Sequence, residues 1–399
     1  MSVVARQLME AFARDTGLSD PKRLPRRYLW TDAFAVCNFL GLYRDTGQSE
    51  FLDLALRLVE QVHETLGRYH PDSGKSGWLS GLDERAAAEH PTIAGLRIGK
   101  KLRDRQPHEP YDENLEWDRD GQYFHYLTKW MHALDAVACE TGQVIFHRWA
   151  RELAQTAYRA FVVTAADGSM RMYWKMSSDL SRPLVASMGQ HDPLDGLLTF
   201  RTLEASGRRF PPSGVGPGLE REIEGLTRLC VGQRWATADS LGIGGLLTDA
   251  WRRALLNGYF RMGGIPELHA LLEDIEISLQ QYARQNLLDH PAHDRLAFRE
   301  LGMSIGLHAV PRMRALLTEF SDRFDRIDAI QKSLDRIDRY RPLASHIEQF
   351  WRHPDHQAVA SWQDHQDINR VMLATSLAPA AFLEGGLAAG CASQARNSR

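Results

Sequence analysis

The chain has 399 residues, 43% hydrophobic and 25% charged, an ordinary globular mix with ample length for a large core. A formal net charge of −3 supplies no basic field for nucleic acid or an anionic membrane surface, so neither is expected as a partner. No signal pattern opens the chain, no apolar run approaches the roughly eighteen residues of a membrane span, and Cys37, Cys139, Cys230 and Cys391 lack short spacing, so a cytoplasmic setting without a disulfide framework is expected.

Helical periodicity dominates from the start. The basic run 21–27 reads as a solvated loop, and 28–43 is apolar on most sides with its polar residues at the N-terminal end. Residues 51–62 repeat apolar side chains at three- and four-residue spacing, which predicts an amphipathic helix. Residues 73–120 are rich in Gly, Pro and charge but also carry Trp78, Leu79, Leu96 and Ile98, so an ordered loop over the mouth of the fold is predicted. Further along, 122–139 is again apolar all round and 147–161 amphipathic, and 170–176 is the best strand candidate, a short hairpin near Gly168. The buried type recurs at 190–203, 237–251, 298–310 and 366–378, and the amphipathic type at 219–229, 267–288 and 312–336. The tail beyond 378 is expected to be loose at its end.

Alternating buried and half-buried helices are what an inner ring wrapped by an outer ring requires. Internal similarity agrees: the Leu241-Gly242-Ile243-Gly244 stretch can be laid over Leu301-Gly302-Met303-Ser304 with one residue of slippage, and His290-Pro291-Ala292-His293 matches His353-Pro354-Asp355-His356. Glycines inside the buried helices cost helix propensity but permit close helix approach. The predicted fold is all-α, an (α/α)6 barrel of six helical hairpins, forming one domain over 1–399 with a core at 28–378 and the 73–120 insertion.

The starts of the buried segments share a chemistry. They carry Trp30 and Asp32; Asp120, Gln122, Tyr123 and His125; Gln190, His191 and Asp192; Trp235 and Asp239; Arg299 and Glu300; and Trp362, Asp364, His365 and Asp367. Any one acid at a helix N-terminus is explained as a cap that meets the positive end of the dipole. The collection is harder to explain so, because caps need no accompanying His, Gln, Arg and Trp. Aromatic faces beside carboxylates and amides suit a sugar, whose ring has apolar faces and polar edges.

This pattern of six inner and outer hairpins resembles the six-hairpin glycosidase superfamily, over most of the chain from Tyr28 to Ala378. The resemblance implies a site at the barrel mouth, where the inner helices begin, and an activity among glycosidases, unsaturated glucuronyl hydrolases and the N-acylglucosamine 2-epimerase group. The leading expectation is a glycoside hydrolase acting on a short soluble saccharide, with one protonated and one ionised carboxyl drawn from Asp120, Asp192 and Glu300. Trp30, Asp32, Trp78, Gln122, Tyr123, Gln190, Asp239, Arg299, Trp362, Asp364 and Asp367 are candidate sugar contacts, and Arg97, Lys100 and Lys101 would suit an anionic substituent.

The alternative is a sugar 2-epimerase or isomerase. It needs a base to take the proton beside the carbonyl and an acid to return it, work suited to imidazole. The epimerase group uses inner-helix histidines so, and His125, His191 and His365 stand at comparable positions. A third alternative is a non-catalytic binding protein on the same toroid. No cofactor is expected: Gly214-Val215-Gly216-Pro217-Gly218 follows Pro211-Pro212 and no strand. No metal is expected either, since shared loop geometry explains the proline-interrupted histidine pairs. Outer-helix Trp and Leu would support a homodimer, and core packing accounts for them equally well.

Overall fold

The computed structural model describes residues 2–20, 22–262 and 267–386; Cys391 and the end of the tail lie outside these. Each expected buried segment holds a helix: Leu29–Thr46, Phe124–Thr141, Asp192–Gly207, Ser240–Phe260, Ala297–Leu307 and Gln366–Leu377. In the first of these inner helices every residue from Leu29 to Leu42 is buried, including Thr31, Asp32 and Asn38. The following helix, Ser49–Leu66, buries only a stripe of Phe51, Ala55, Leu58, Val59, Val62, His63 and Leu66. Gly47 (φ 67°) and Gly142 (φ 71°) end the first two inner helices in the left-handed conformation, each N–H returning to the last turn before the chain reverses into an outer helix.

Repeated along the chain, this alternation is the all-α, (α/α)6 class of helical hairpins. Contacts gather it into two compact units, Ala13–Leu229 and Cys230–Arg399 with Met1–Phe12. In the first unit, the first two inner helices pair with Ser49–Leu66 and Val144–Phe161, and the second inner helix packs on the first and the third. In the other unit, the fourth and fifth inner helices approach to backbone contact. A Cβ on Gly244 would stand 2.1 Å from the carbonyl oxygen of Gly302, and one on Gly306 would stand 2.6 Å from that of Gly244. Close approach is therefore what offsets the propensity lost at these glycines. The N-terminal helix Val3–Asp15, whose stripe is Ala5, Met9, Phe12 and Ala13, supplies a further amphipathic element.

Two expectations need correction. Residues 312–336 are not one helix but Ala309–Glu319, a turn at Ser321–Arg323, and Ile327–Asp338. The break is held by tertiary bonds that compete with the helical ladder: Asn257 donates to the carbonyl of Arg323, and the Arg323 guanidinium donates to that of Gly258. The fifth inner helix likewise ends at Leu307, and Val310 belongs to the next helix.

The predicted hairpin is present, Val162–Thr164 pairing antiparallel with Met170–Met172 around Gly168. The 170–176 candidate is divided between two sheets: its end, Lys175–Met176, lies in a second, three-stranded sheet between Gln122–Tyr123 and Pro183–Val185, neither of which was expected as a strand. The long loop 73–120 is ordered and laid over helix starts of the first unit. Leu29 donates to the carbonyl of Ile98, Ile98 to that of Gly121, and Asp120 to that of Leu102. Among the described residues no helix is long and apolar enough to cross a membrane.

Candidate active site

The second and third inner helices of the first unit carry ionisable side chains at helical spacing on facing sides: His125 and Lys129 on one, Asp192 and Asp195 on the other. They form two rungs. In the outer rung, His125 Nδ1 stands 3.6 Å from Asp192 Oδ1, just beyond hydrogen-bond distance. In the inner rung, Lys129 Nζ donates to Asp195 Oδ1 at 2.7 Å and the Thr128 hydroxyl donates to Oδ2. His125 Nδ1 and Asp192 Oδ2 are both buried without a hydrogen-bond partner among the described residues, an arrangement stable folds rarely leave in place.

Aromatic rings floor the outer rung. Tyr123 stacks on the His125 imidazole at 5.3 Å, Trp174 lies parallel to it at 6.5 Å, and Tyr126 meets it edge-on at 4.9 Å. Tyr126 shares a 2.7 Å hydroxyl contact with Tyr28 and lies 6.4 Å from the Trp30 ring. The three-stranded sheet positions this floor: Tyr123 is paired in register with Lys175, the residue after Trp174. Lys175 is fully buried and donates to the carbonyls of Glu116 and Arg119, tying sheet to loop. Trp117, on that loop, packs edge-on against Trp174 at 4.9 Å.

Burial governs the electrostatics. It lowers the His125 imidazole to about 4, helped by the Lys129 charge and opposed by Asp195. It raises the Asp192 carboxyl to about 7, helped by the Asp195 charge and opposed by Lys129. Both groups are thus neutral over the intervening range, an imidazole beside a protonated carboxylic acid. Burial also lowers Lys175 to about 8 and raises the phenols of Tyr28 and Tyr123. An un-ionised acid that donates a hydrogen bond next to a neutral base is the equipment of proton transfer near neutral pH.

The other candidate acids are engaged. Asp120 is fully buried, pairs with Arg97 and accepts the backbone N–H groups of Gly99 and Gly121, each at 3.0 Å. Glu300 is forked by Arg295 at 2.8 and 2.6 Å and accepts the Trp351 indole N–H at 2.8 Å. Arg299 does not join it; its guanidinium pairs with Asp239 at 2.6 Å, and Asp239 also caps the fourth inner helix through Gly242 N–H. Arg97 is consumed by Asp120 and by the carbonyls of Arg68 and Thr65, and Lys100 by that of Trp117. Of the three cations expected to suit an anionic substituent, these two are thus bound within the protein, and Lys101 is exposed.

Among the remaining candidates, Asp32 accepts the Tyr28 N–H and lies 3.5 Å from Arg27. Gln122 uses its whole amide on Leu96, Ala94 and Ser178, and Trp78 donates to Glu84 beneath the Arg68 guanidinium. His191 is the half-buried N-cap of the third inner helix, with Gln190 exposed before it. In the second unit Trp362 is buried against Trp351, Asp364 is exposed, Asp367 half-buried, and His365 exposed and edge-on to Phe298. His356 bonds the Phe350 carbonyl and His353 caps the Asp355 N–H.

Lys129, Thr128, Asp195 and Trp174 were not among the predicted site residues. One signal was available: two acids three residues apart on an apolar helix repel unless a cation faces them, and Lys129 is the cation at matching spacing.

No family model and no curated protein matches the chain. Among solved structures it is similar to a cellobiose 2-epimerase from Spirochaeta thermophila, at 13% identity and TM-score 0.46 over 94% of this chain and 98% of that one. It is also similar to a sugar epimerase from a ruminal bacterium, at 10% identity, TM-score 0.44 and the same coverages of 94% and 98%. A cellobiose 2-epimerase from Bacillus thermoamylovorans is similar at 11% identity and TM-score 0.41, again over 94% of this chain and 98% of that one.

Proposed function

We propose that this protein is a carbohydrate-active enzyme that moves the proton at C2 of a reducing sugar, as an epimerase or isomerase. The observation that carries the reading is the outer rung: a half-buried imidazole whose Nδ1 is buried and a buried carboxyl, each with an unpartnered polar atom among the described residues, on an aromatic floor. His125, neutral at working pH, takes the C2 proton of the open-chain aldose. Asp192, protonated, donates to the carbonyl oxygen and stabilises the enediolate as its charge develops. Return of the proton to the same carbon from the opposite face gives the epimer, and its delivery to C1 gives the ketose. His191, next to Asp192 in the chain, is the candidate for the opposite face. Trp174 and Tyr126, both half-buried, offer aromatic surface to the apolar face of the sugar ring, with Tyr123 stacked on His125 beneath them.

This reading is preferred to hydrolysis because Asp120 and Glu300 are closed into ion pairs and Asp195 is held by Lys129 and Thr128. The test is incubation of the purified full chain with a panel of reducing mono- and disaccharides, with products resolved by chromatography. An epimer or ketose formed by the wild type, with about a hundredfold or greater loss in His125→Asn, is the expected result. Free monosaccharides released from disaccharides would overturn it in favour of hydrolysis.

A further inference from the structure

The two rungs differ in a way that the proton-transfer reading leaves unexplained. Asp192 and Asp195 lie three residues apart on one helix face, where two carboxylates in a buried setting cannot both ionise cheaply. Which one gives up its charge is decided by what faces it. Asp195 is met by an ammonium at 2.7 Å and by the Thr128 hydroxyl, while Asp192 is met by an imidazole at 3.6 Å and keeps an unpartnered oxygen. Lys129 follows His125 by one helical turn, so its charge also opposes a second cation on the imidazole.

We propose that the Lys129–Asp195 ion pair is the positioning element of the site: it anchors the negative charge on Asp195 and thereby leaves the proton of the outer rung on Asp192, with His125 as base. That those protons serve sugar chemistry rests on the function proposed above; the assignment of the protons does not. Other ionisable groups around the rung do not supply this control. From the first inner helix and the loop come Asp32 with Arg27 and Asp120 with Arg97, each acid already facing an arginine. From the sheet and the helix starts come Lys175, bound to carbonyls, and the phenols of Tyr28, Tyr123 and Tyr126. Exchange of Lys129 for a neutral residue removes the anchor. The two carboxyls then share one proton and the imidazole accepts a proton more readily.

The test is NMR titration of the full-length protein without sugar, using carboxyl-labelled aspartate and ring-labelled histidine, in wild type, Asp195→Asn, Lys129→Met and Lys129→Arg. Asp195→Asn preserves shape and keeps one carbonyl oxygen to accept from the Lys129 ammonium, so it removes the charge with little change of volume. The midpoint of Asp192 is expected to fall by about one pH unit, a tenfold change in proton affinity, in Asp195→Asn. The midpoint of His125 is expected to rise in Lys129→Met and to return in Lys129→Arg. Midpoints within about 0.3 pH unit of wild type in both Asp195→Asn and Lys129→Met would overturn the proposal and leave the pair a structural ion pair only. Shifted midpoints in a protein that transforms no sugar would support the inner-rung assignment and discard the sugar reading. Sugar conversion with unmoved midpoints would discard the assignment alone.

Discussion

Asp192 and Glu300 are both buried acids in the first turn of an inner helix, one in each unit, and the chain treats them oppositely. Glu300 has both oxygens occupied by the Arg295 fork and the Trp351 indole, and Arg295 is itself packed on Phe350 at 3.7 Å and bonded to the Leu288 carbonyl. Asp192 has an imidazole slightly too far to bond and, among the described residues, an orphaned oxygen and no paired arginine. A saturated buried acid stabilises its surroundings; an unsaturated one costs stability and is kept where its proton is used. An acid at the head of a buried helix therefore says little, and the count of its partners says much.

The largest effect that would sharpen this contrast is catalytic. Asp192→Asn is expected to lower the turnover of a reducing sugar by about 10²–10⁴-fold while the protein melts no earlier than wild type, read by product analysis and calorimetry. A lowered melting temperature with turnover intact would break the comparison. Next comes Glu300→Gln, which leaves the Arg295 guanidinium buried without its counter-charge; a loss of about 3–5 kcal/mol is expected in denaturant unfolding. Its folded fraction should keep the wild-type turnover, and a selective loss of turnover would return Glu300 to the list of reacting groups.

The smallest effect concerns pH. A carboxyl raised from 3.8 to about 7 binds its proton more tightly folded than unfolded, so its contribution to stability falls as pH rises across that range. An imidazole lowered from 6.5 to about 4 does the reverse, its contribution rising with pH up to its unfolded value. Between about pH 4 and 6.5 each state of the pair holds one proton, on carboxyl when folded and on imidazole when unfolded, so the two slopes cancel. Asp192→Asn removes one of them. Its stability relative to wild type should climb between pH 4.5 and 6, by up to about 1.4 kcal/mol per pH unit, in parallel denaturant titrations. Parallel curves for the two proteins would show that the pair does not hold its proton as described.

Much of the fold was legible in the sequence because it rests on local patterning. All-round apolar segments and striped ones alternate, glycines end the first two inner helices, and Gly242 and Gly302 recur at matching places. The break after Glu319 was not legible, since it depends on Asn257 and Arg323 reaching carbonyls across the unit. At the site, residue type and helix position identified His125, Asp192 and Tyr123 as candidates. What separated Asp192 from Asp120 and Glu300 lay in Arg97 and Arg295: the first in a loop read as facing substrate, the second five residues before its acid without periodicity to mark it. Trp174 reached the floor through a strand pairing of two residues, too short to leave an alternating pattern.

The measurement that bears most directly on the account is exchange at C2, followed by proton NMR in D2O with reducing sugars and wild-type protein. Loss of the C2 proton signal without cleavage of any glycosidic bond, abolished in His125→Asn and in Asp192→Asn, is the result the account predicts. A C2 signal that persists while a new anomeric signal grows from a broken glycosidic bond would contradict it.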